Sequence, residues 1–373
     1  MKNTKNVIQH TKEPFVHIVK RDGLPKTRAL LIRAAALFLS LIVCAAVIFA
    51  IVKMNPIKVY ITMFEGSFGS QRRLWVLIRN TMMLLCISVG LAPAFKMKFW
   101  NIGAEGQVLV GGIATAACMI YLGKSLPTPL LFIAMFAASV IAGALWGVIP
   151  AIFKAKFNTN ETLFTLMMNY VAIQLTSFFV SLWENPYGSN TVGIINAQTR
   201  SGWFPALFGQ QYMLNVIIVA VLAIGMYIYL KRSKQGYEIM VVGDSENTAR
   251  YAGINVGKVI VRTMLISGAI CGISGFVAVS GASHTISTTT AGGQGFTAII
   301  VAWLSKFNSF VMFGVSLLLV FLEIGAEEIA SQYNLNNYAS QMIEGIILFF
   351  ILGSEFFINY KLVFRSKKDR EAK

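Results

Sequence analysis

Apolar residues fall into separate blocks of about 20 positions, each long enough to cross a hydrocarbon core about 30 Å thick at 1.5 Å per residue. Walking the hydropathy predicts spans near 31–52, 74–95, 101–122, 128–152, 161–183, 212–231, 260–281, 293–305, 309–330 and 339–358. The pattern predicts an all-α, polytopic membrane protein of about ten transmembrane helices. The stretch at 293–305 is shorter than the roughly 17 residues a span needs, which predicts a short or re-entrant helix. Residues 53–73 have mixed polarity and read as an outer interfacial segment.

Composition agrees. The 373 residues are 56% hydrophobic and only 13% charged, with a mean hydropathy of +0.65, whereas soluble domains run near a quarter charged. A net charge of +16 invites a nucleic-acid reading, but the 32 Lys and Arg do not form one basic face. If the N-terminus is cytoplasmic, 25 of them lie in inner segments and helix ends, and seven (Lys53, Lys58, Arg72, Arg73, Arg79, Lys124 and Arg200) lie outside. That split places both termini in the cytoplasm of a multi-pass cell-membrane protein. The N-terminal stretch is polar and basic, without an apolar core or a small-residue cleavage site ahead of the first span, so an uncleaved first helix is expected. The expected organisation is a tail at 1–30, a transmembrane domain at 31–358 and a basic tail at 359–373. A cytoplasmic loop at 231–259 carries eight charged residues. Cys44, Cys86, Cys118 and Cys271 sit in apolar segments and read as small buried hydrophobes, with no metal or cofactor implied.

Polar positions within the spans carry the candidate chemistry. Asn101-Ile102-Gly103-Ala104-Glu105-Gly106-Gln107 puts a carboxylate and two amides where a membrane helix begins; lining of a translocation path and helix capping both fit. A second Gly-rich opening, Ala291-Gly292-Gly293-Gln294-Gly295, precedes Phe296. Each opens the second helix of a four-helix group, 74–183 and 260–358, so the groups are candidate inverted repeats whose interrupted helices line a path near the midplane. On that reading Asn101, Glu105, Gln107 and Gln294 face a cavity shared with Asn169 and Glu344. Phe99, Trp100 and Phe296 supply stacking surfaces, and the solute is neutral and polar with apolar faces.

Asn158 and Glu161 have the spacing of a capping box ahead of a span that also holds Tyr170 and Gln174 on one face. Glu323 is a second buried-carboxylate candidate, whereas Glu327, Glu328 and Glu355 lie near span ends and are expected to be exposed at the interface. Gly143-x-x-x-Gly147 and Gly268-x-x-x-Gly272 suit tight helix crossings. His284, the only histidine beyond the N-terminal stretch, has no partner at catalytic or metal spacing and reads as a solvated or hydrogen-bonded loop residue. Gly123-Lys124-Ser125 lacks the glycine a phosphate loop requires, since Cys118 stands there, so any nucleotide hydrolysis must belong to another chain. No cluster at catalytic spacing suggests an enzyme. A secondary, ion-coupled transporter also accommodates inverted repeats and buried carboxylates.

Residues 236–256, GYEIMVVGDSENTARYAGINV, resemble the cytoplasmic coupling loop of ABC-type importer permeases of the ribose and branched-chain amino-acid class. FWNIGAEGQ at 99–107 resembles the signature of the subgroup that works with nucleoside-binding lipoproteins; NETLFTLMMNYVA at 160–172 and ISGAICGISGF at 266–276 are similar to further segments of it. The resemblance implies a permease subunit paired with a second, related permease, cytoplasmic ATP-binding subunits and an extracytoplasmic solute-binding lipoprotein. Nucleosides are the nearest substrate class, and riboflavin and sugar importers share the architecture. Gly236, Glu238, Asp244, Glu246, Arg250, Tyr251 and Gly253 would then couple to the ATPase, with 238–251 forming one short helix between glycine turns.

Overall fold

A computed structural model of the chain describes residues 16–21, 24–53, 55–334 and 337–364. Among them, nine helices are long and apolar enough to cross a membrane, and one shorter apolar helix accompanies them. The protein is an all-α polytopic membrane protein.

The chain divides into two units, one built from 1–64 and 325–373, the other from 65–324. In the first, β1 (Val16–Lys20) pairs antiparallel with β2 (Tyr360–Phe364), Val16 opposite Phe364 and Lys20 opposite Tyr360. This ribbon falls within the stretches read from sequence as polar tails. Helix α1 (Lys26–Val52) packs against α13 (Asn337–Asn359). Arg33 Nε donates to the Glu355 carboxylate at 2.8 Å, so Glu355 is ion-paired and only partly exposed. The segment at 53–73 read from sequence as interfacial holds α2 (Pro56–Phe68), which begins in this unit. Its Tyr60 hydroxyl donates to the Leu41 carbonyl, and burial pushes that phenol up to about 12.

The second unit holds α3 (Gln71–Lys96), α4 (Ala104–Leu122), α5 (Thr128–Phe157), α6 (Glu161–Leu182) and α7 (Met213–Arg232). Then come α8 (Lys234–Asp244), α9 (Glu246–Tyr251), α10 (Val256–Ala278), α11 (Gln294–Leu304) and the start of α12 (Ser309–Gln332). Its centre is α10, which packs most extensively against α5 and then against α4 and α3. Glycine makes this possible. A Cβ on Gly143 of α5 would lie 2.7 Å from the Gly272 Cα, one on Gly147 3.2 Å from the Gly268 Cα, and one on Gly111 of α4 2.6 Å from the Gly272 Cα. The two GxxxG stretches therefore face each other, and backbone meets backbone without a side chain between.

Helix α10 ends in a π turn, Val279–Ser283, after which His284 takes a left-handed conformation with φ 54°. The polar stretch at 184–211 is tied down there, with Ile195 N donating to the His284 carbonyl at 2.9 Å and Phe204 N to the Ser280 carbonyl at 3.0 Å. The His284 ring stacks on Trp203 with centroids 3.8 Å apart and planes 3° apart. Of the two expectations for His284, solvated or hydrogen-bonded, the first fails: the residue is buried, its N donates to the Val279 carbonyl at 3.0 Å, and loss of solvent pushes its imidazole below the usual range. Beyond it, α11 has 11 residues and is about 16 Å long, half a hydrocarbon core. By length, α11 is too short to cross on its own.

Candidate functional site

Two helices begin inside the protein, and their starts meet. The opening of α4 is held by amide side chains because its irregular backbone has no helical partners. Asn101 Oδ1 accepts from Gly103 N at 3.0 Å and from Gln107 Nε2 at 3.3 Å, while Asn101 Nδ2 donates to Ser267 Oγ of α10 at 3.2 Å. From α6, Asn169 Oδ1 accepts from Gly106 N and Nδ2 donates to the Ile102 carbonyl, both at 2.9 Å. One turn earlier on the same helix face, Thr165 Oγ1 accepts from Ile102 N at 3.1 Å. Asn101, Gln107 and Asn169 are buried, each engaged by its neighbours.

Glu105 reaches across. Its Oε1 accepts from Gly293 N at 2.8 Å and its Oε2 from Gly295 N at 2.9 Å, so one carboxylate caps the start of α11. Gly293 is left-handed (φ 76°), and a Cβ on Gly295 would come within 2.6 Å of Glu105 N. The carboxylate meets the positive end of the half-helix dipole and satisfies amides with no helical partner. Glu105 is 7% exposed. Beside it Gln294 is half-buried and Phe296 exposed. Trp100 and Trp303 stack with centroids 5.5 Å apart, with Phe95 edge-on to both.

The structure thus gathers Asn101, Glu105, Gln107, Asn169, Gln294 and Phe296 around the two openings. Phe99, taken from sequence as a stacking surface, is buried, and Trp100 is half exposed. Tyr170 and Gln174 are exposed, away from the buried face of α6 that carries Asn169. The Glu344 side chain, on α13, lies outside the described residues. Glu323 belongs to α12, and Glu327 farther along that helix is exposed. Thr165 and Ser267 were not singled out by sequence reasoning. Thr165 had a signal, lying four residues before Asn169, whereas Ser267 sits unmarked among the small residues of α10.

The N-cap of α6 lies two residues later than the spacing suggested, and no capping box forms because Leu163 stands three positions after it. Asn160 Oδ1, not Asn158, accepts from Leu163 N at 3.2 Å; Asn158 ends α5 in a left-handed conformation with φ 50°. A short polar side chain tolerates that conformation, and Glu161 turns to Lys154 Nζ, 3.0 Å away.

The charged segment after α7 is two helices rather than one. Ser233 caps α8 through Gly236 N at 2.9 Å, and Ser245 breaks the run and caps α9 through Thr248 N at 3.2 Å. Gly253 makes the expected turn with φ 76°, but Gly236 lies within α8. Its role is close approach, since a Cβ there would sit 2.7 Å from the Leu230 carbonyl oxygen. Glu238 is held by Arg262 of α10 at 2.8 Å. Asp244, Glu246 and Arg250 are exposed, the last two 3.6 Å apart, and Tyr251 is 94% exposed. The segment therefore displays one aromatic ring beside three charged side chains.

Residues 74–352 match the family described as branched-chain amino acid transport system / permease component. The guanosine ABC transporter permease protein NupP of Bacillus subtilis is 30% identical over 301 residues, 79% of this chain and 85% of that one. The nucleoside ABC transporter permease protein NupB of Lactococcus lactis is 26% identical over 335 residues, 87% and 91% of the two chains. The glucose ABC transporter permease protein TsgB13 of Haloferax volcanii is 26% identical over 326 residues, 84% and 85%. The matched region runs from α3 into α13 and includes both openings and the α8–α9 pair, and the chain belongs to this family of ABC transporter permease subunits.

Proposed function

We propose that the chain is the permease subunit of an ATP-driven importer for a nucleoside. It works with a second related permease, cytoplasmic ATP-binding subunits and an extracytoplasmic solute-binding lipoprotein, and both of its termini are cytoplasmic. The observation that carries the solute class is the likeness to guanosine and nucleoside permeases along most of the chain. The geometry supports it: beside the two openings the half-buried Gln294 amide and the exposed Phe296 ring suit a neutral solute with a polar rim and a flat apolar face.

In this reading Gln294 and Phe296 face the solute, while Asn101, Glu105, Gln107 and Asn169 position the broken helices behind them. The exposed Asp244, Glu246, Arg250 and Tyr251 meet the ATPase. Gly236 and Glu238 tie α8 to α7 and α10, so that a push on the segment reaches the core, and Gly253 closes its far end.

Uptake of labelled guanosine, riboflavin and glucose by the assembled transporter tests the solute. Guanosine should enter, and the other two should neither enter nor compete at equal concentration. Uptake that survives ATP depletion but collapses with the proton or sodium gradient would identify an ion-coupled carrier instead. Replacing Asp244 and Arg250 by alanine together should cut uptake at least about tenfold while ATP hydrolysis continues, a loss of about 1.4 kcal/mol in coupling. Unchanged uptake would remove the segment from coupling.

A further inference from the structure

Where α3 and α7 end and α8 begins, Lys96, Lys231, Arg232 and Lys234 line one cavity of about 470 Å³, and no carboxylate is among its walls. Two of the four are braced by neutral groups. Lys96 Nζ donates to the Leu230 carbonyl at 3.3 Å, and Lys231 Nζ donates to the Tyr227 hydroxyl at 2.7 Å, 4.7 Å from that ring's centroid. Glu238 on α8 is engaged by Arg262 on α10. Four cations drawn around one small space repel one another, and an anion seated among them would relieve that.

The surface leading to the cavity says what kind of anion. Ile217, Val221, Ile224 and Ile228 are all exposed on α7. Their spacing of four, three and four residues draws one apolar stripe along the helix, and the next steps of the same spacing are Lys231 and Arg232. An apolar stripe about 17 Å long, roughly one leaflet of hydrocarbon, that ends in a basic cavity has the amphiphilic form of a phospholipid: acyl chains along the helix, phosphate at its end. A soluble phosphate would use the cavity and leave the stripe unused.

We propose that this cavity binds the phosphate headgroup of an anionic phospholipid whose acyl chains lie along the Ile217–Ile228 stripe. Such a lipid joins the ends of α3 and α7 to the first turn of α8, and so fastens the base of the α8–α9 pair. The proposal does not depend on which solute is carried, because its test contains no transport step.

The test uses the full chain in detergent. Native mass spectrometry and thermal unfolding would be followed after adding phosphatidylglycerol, phosphatidylcholine or inorganic phosphate at equal concentration. Phosphatidylglycerol should be retained at least fivefold more than phosphatidylcholine and should raise the melting temperature; inorganic phosphate should do neither. Lys231→Gln with Arg232→Gln and Lys234→Gln should reduce phosphatidylglycerol retention at least fivefold. Lys53→Gln with Lys58→Gln, cations in the other unit, should leave it unchanged. If the triple variant is not monodisperse, Arg232→Gln with Lys234→Gln, both on exposed side chains, should still lower retention about threefold. Equal retention of the two lipids, full retention by the variants, or displacement of the lipid by equimolar phosphate would overturn the proposal.

Discussion

Helices α6 and α11 both start with amides that have no partner in their own first turn, and the chain satisfies them in opposite ways. For α6 the solution is local. Asn160 caps Leu163 N, and Glu161 reaches back to Lys154 across the turn, all within ten residues of sequence. For α11 it is remote. Its start is preceded by two left-handed glycines that carry no side chain, and its amides go to Glu105, 188 and 190 residues earlier. A local cap makes a helix begin where the sequence says it should. A remote one fastens a half-helix to another element through a single carboxylate, and that is the kind of joint a transporter can open without unfolding.

The comparison is sharpest at Glu105. Each of its hydrogen bonds to a backbone amide is charge-assisted and worth about 1.5–3 kcal/mol in a buried setting. Glu105→Ala should therefore lower the melting temperature markedly and cut uptake more than tenfold, since α11 loses both charge-assisted bonds that fasten it to α4. Glu105→Gln should recover part of both, because its amide oxygen accepts one of the two bonds while its NH2 confronts the other donor. Wild-type uptake by the alanine variant would mean that the clamp is incidental.

A smaller effect is expected from Asn169→Ala. The residue accepts from Gly106 N and donates to the Ile102 carbonyl, so truncation strands two neutral backbone groups at about 1–3 kcal/mol each. Uptake should fall severalfold with the protein still monodisperse, and Asn169→Asp should rescue only the Gly106 contact. Equal loss in the Ala and Asp variants would place the Ile102 contact in control of this opening.

The same contrast explains what the sequence disclosed. Spans were legible because an 18- to 30-residue apolar helix writes its length directly into composition, and the observed ends of α3, α5, α6 and α7 lie within a few residues of the hydropathy limits. The GxxxG pairs were legible as packing surfaces, though not as partners of each other, since a small-residue spacing names no recipient. Glu105 and Asn169 stood out as polar residues at membrane depth, but their bonds go to backbone amides and carbonyls. A backbone group is the same at every position, so nothing in its sequence marks it as a partner. The break at Ser245 was missed for a different reason: a serine between two charged residues is also an ordinary surface residue until its hydroxyl is seen on Thr248 N.

The smallest change belongs to the local cap. Replacing an N-cap asparagine by alanine costs about 1 kcal/mol, because one orphan amide returns to solvent rather than staying buried. Leu163 and its turn are exposed enough for that amide to find water, and the Lys154–Glu161 pair still holds the α5–α6 turn in place. Asn160→Ala should thus lower the melting temperature by only a few degrees and leave the initial rate of uptake within about twofold of the parent. Asn160→Ser should restore the cap and the stability together. Were Asn160→Ala instead to abolish uptake as thoroughly as Glu105→Ala, the start of α6 would be part of the moving joint, and the division between a helix that is merely begun and one that is fastened for movement would fall.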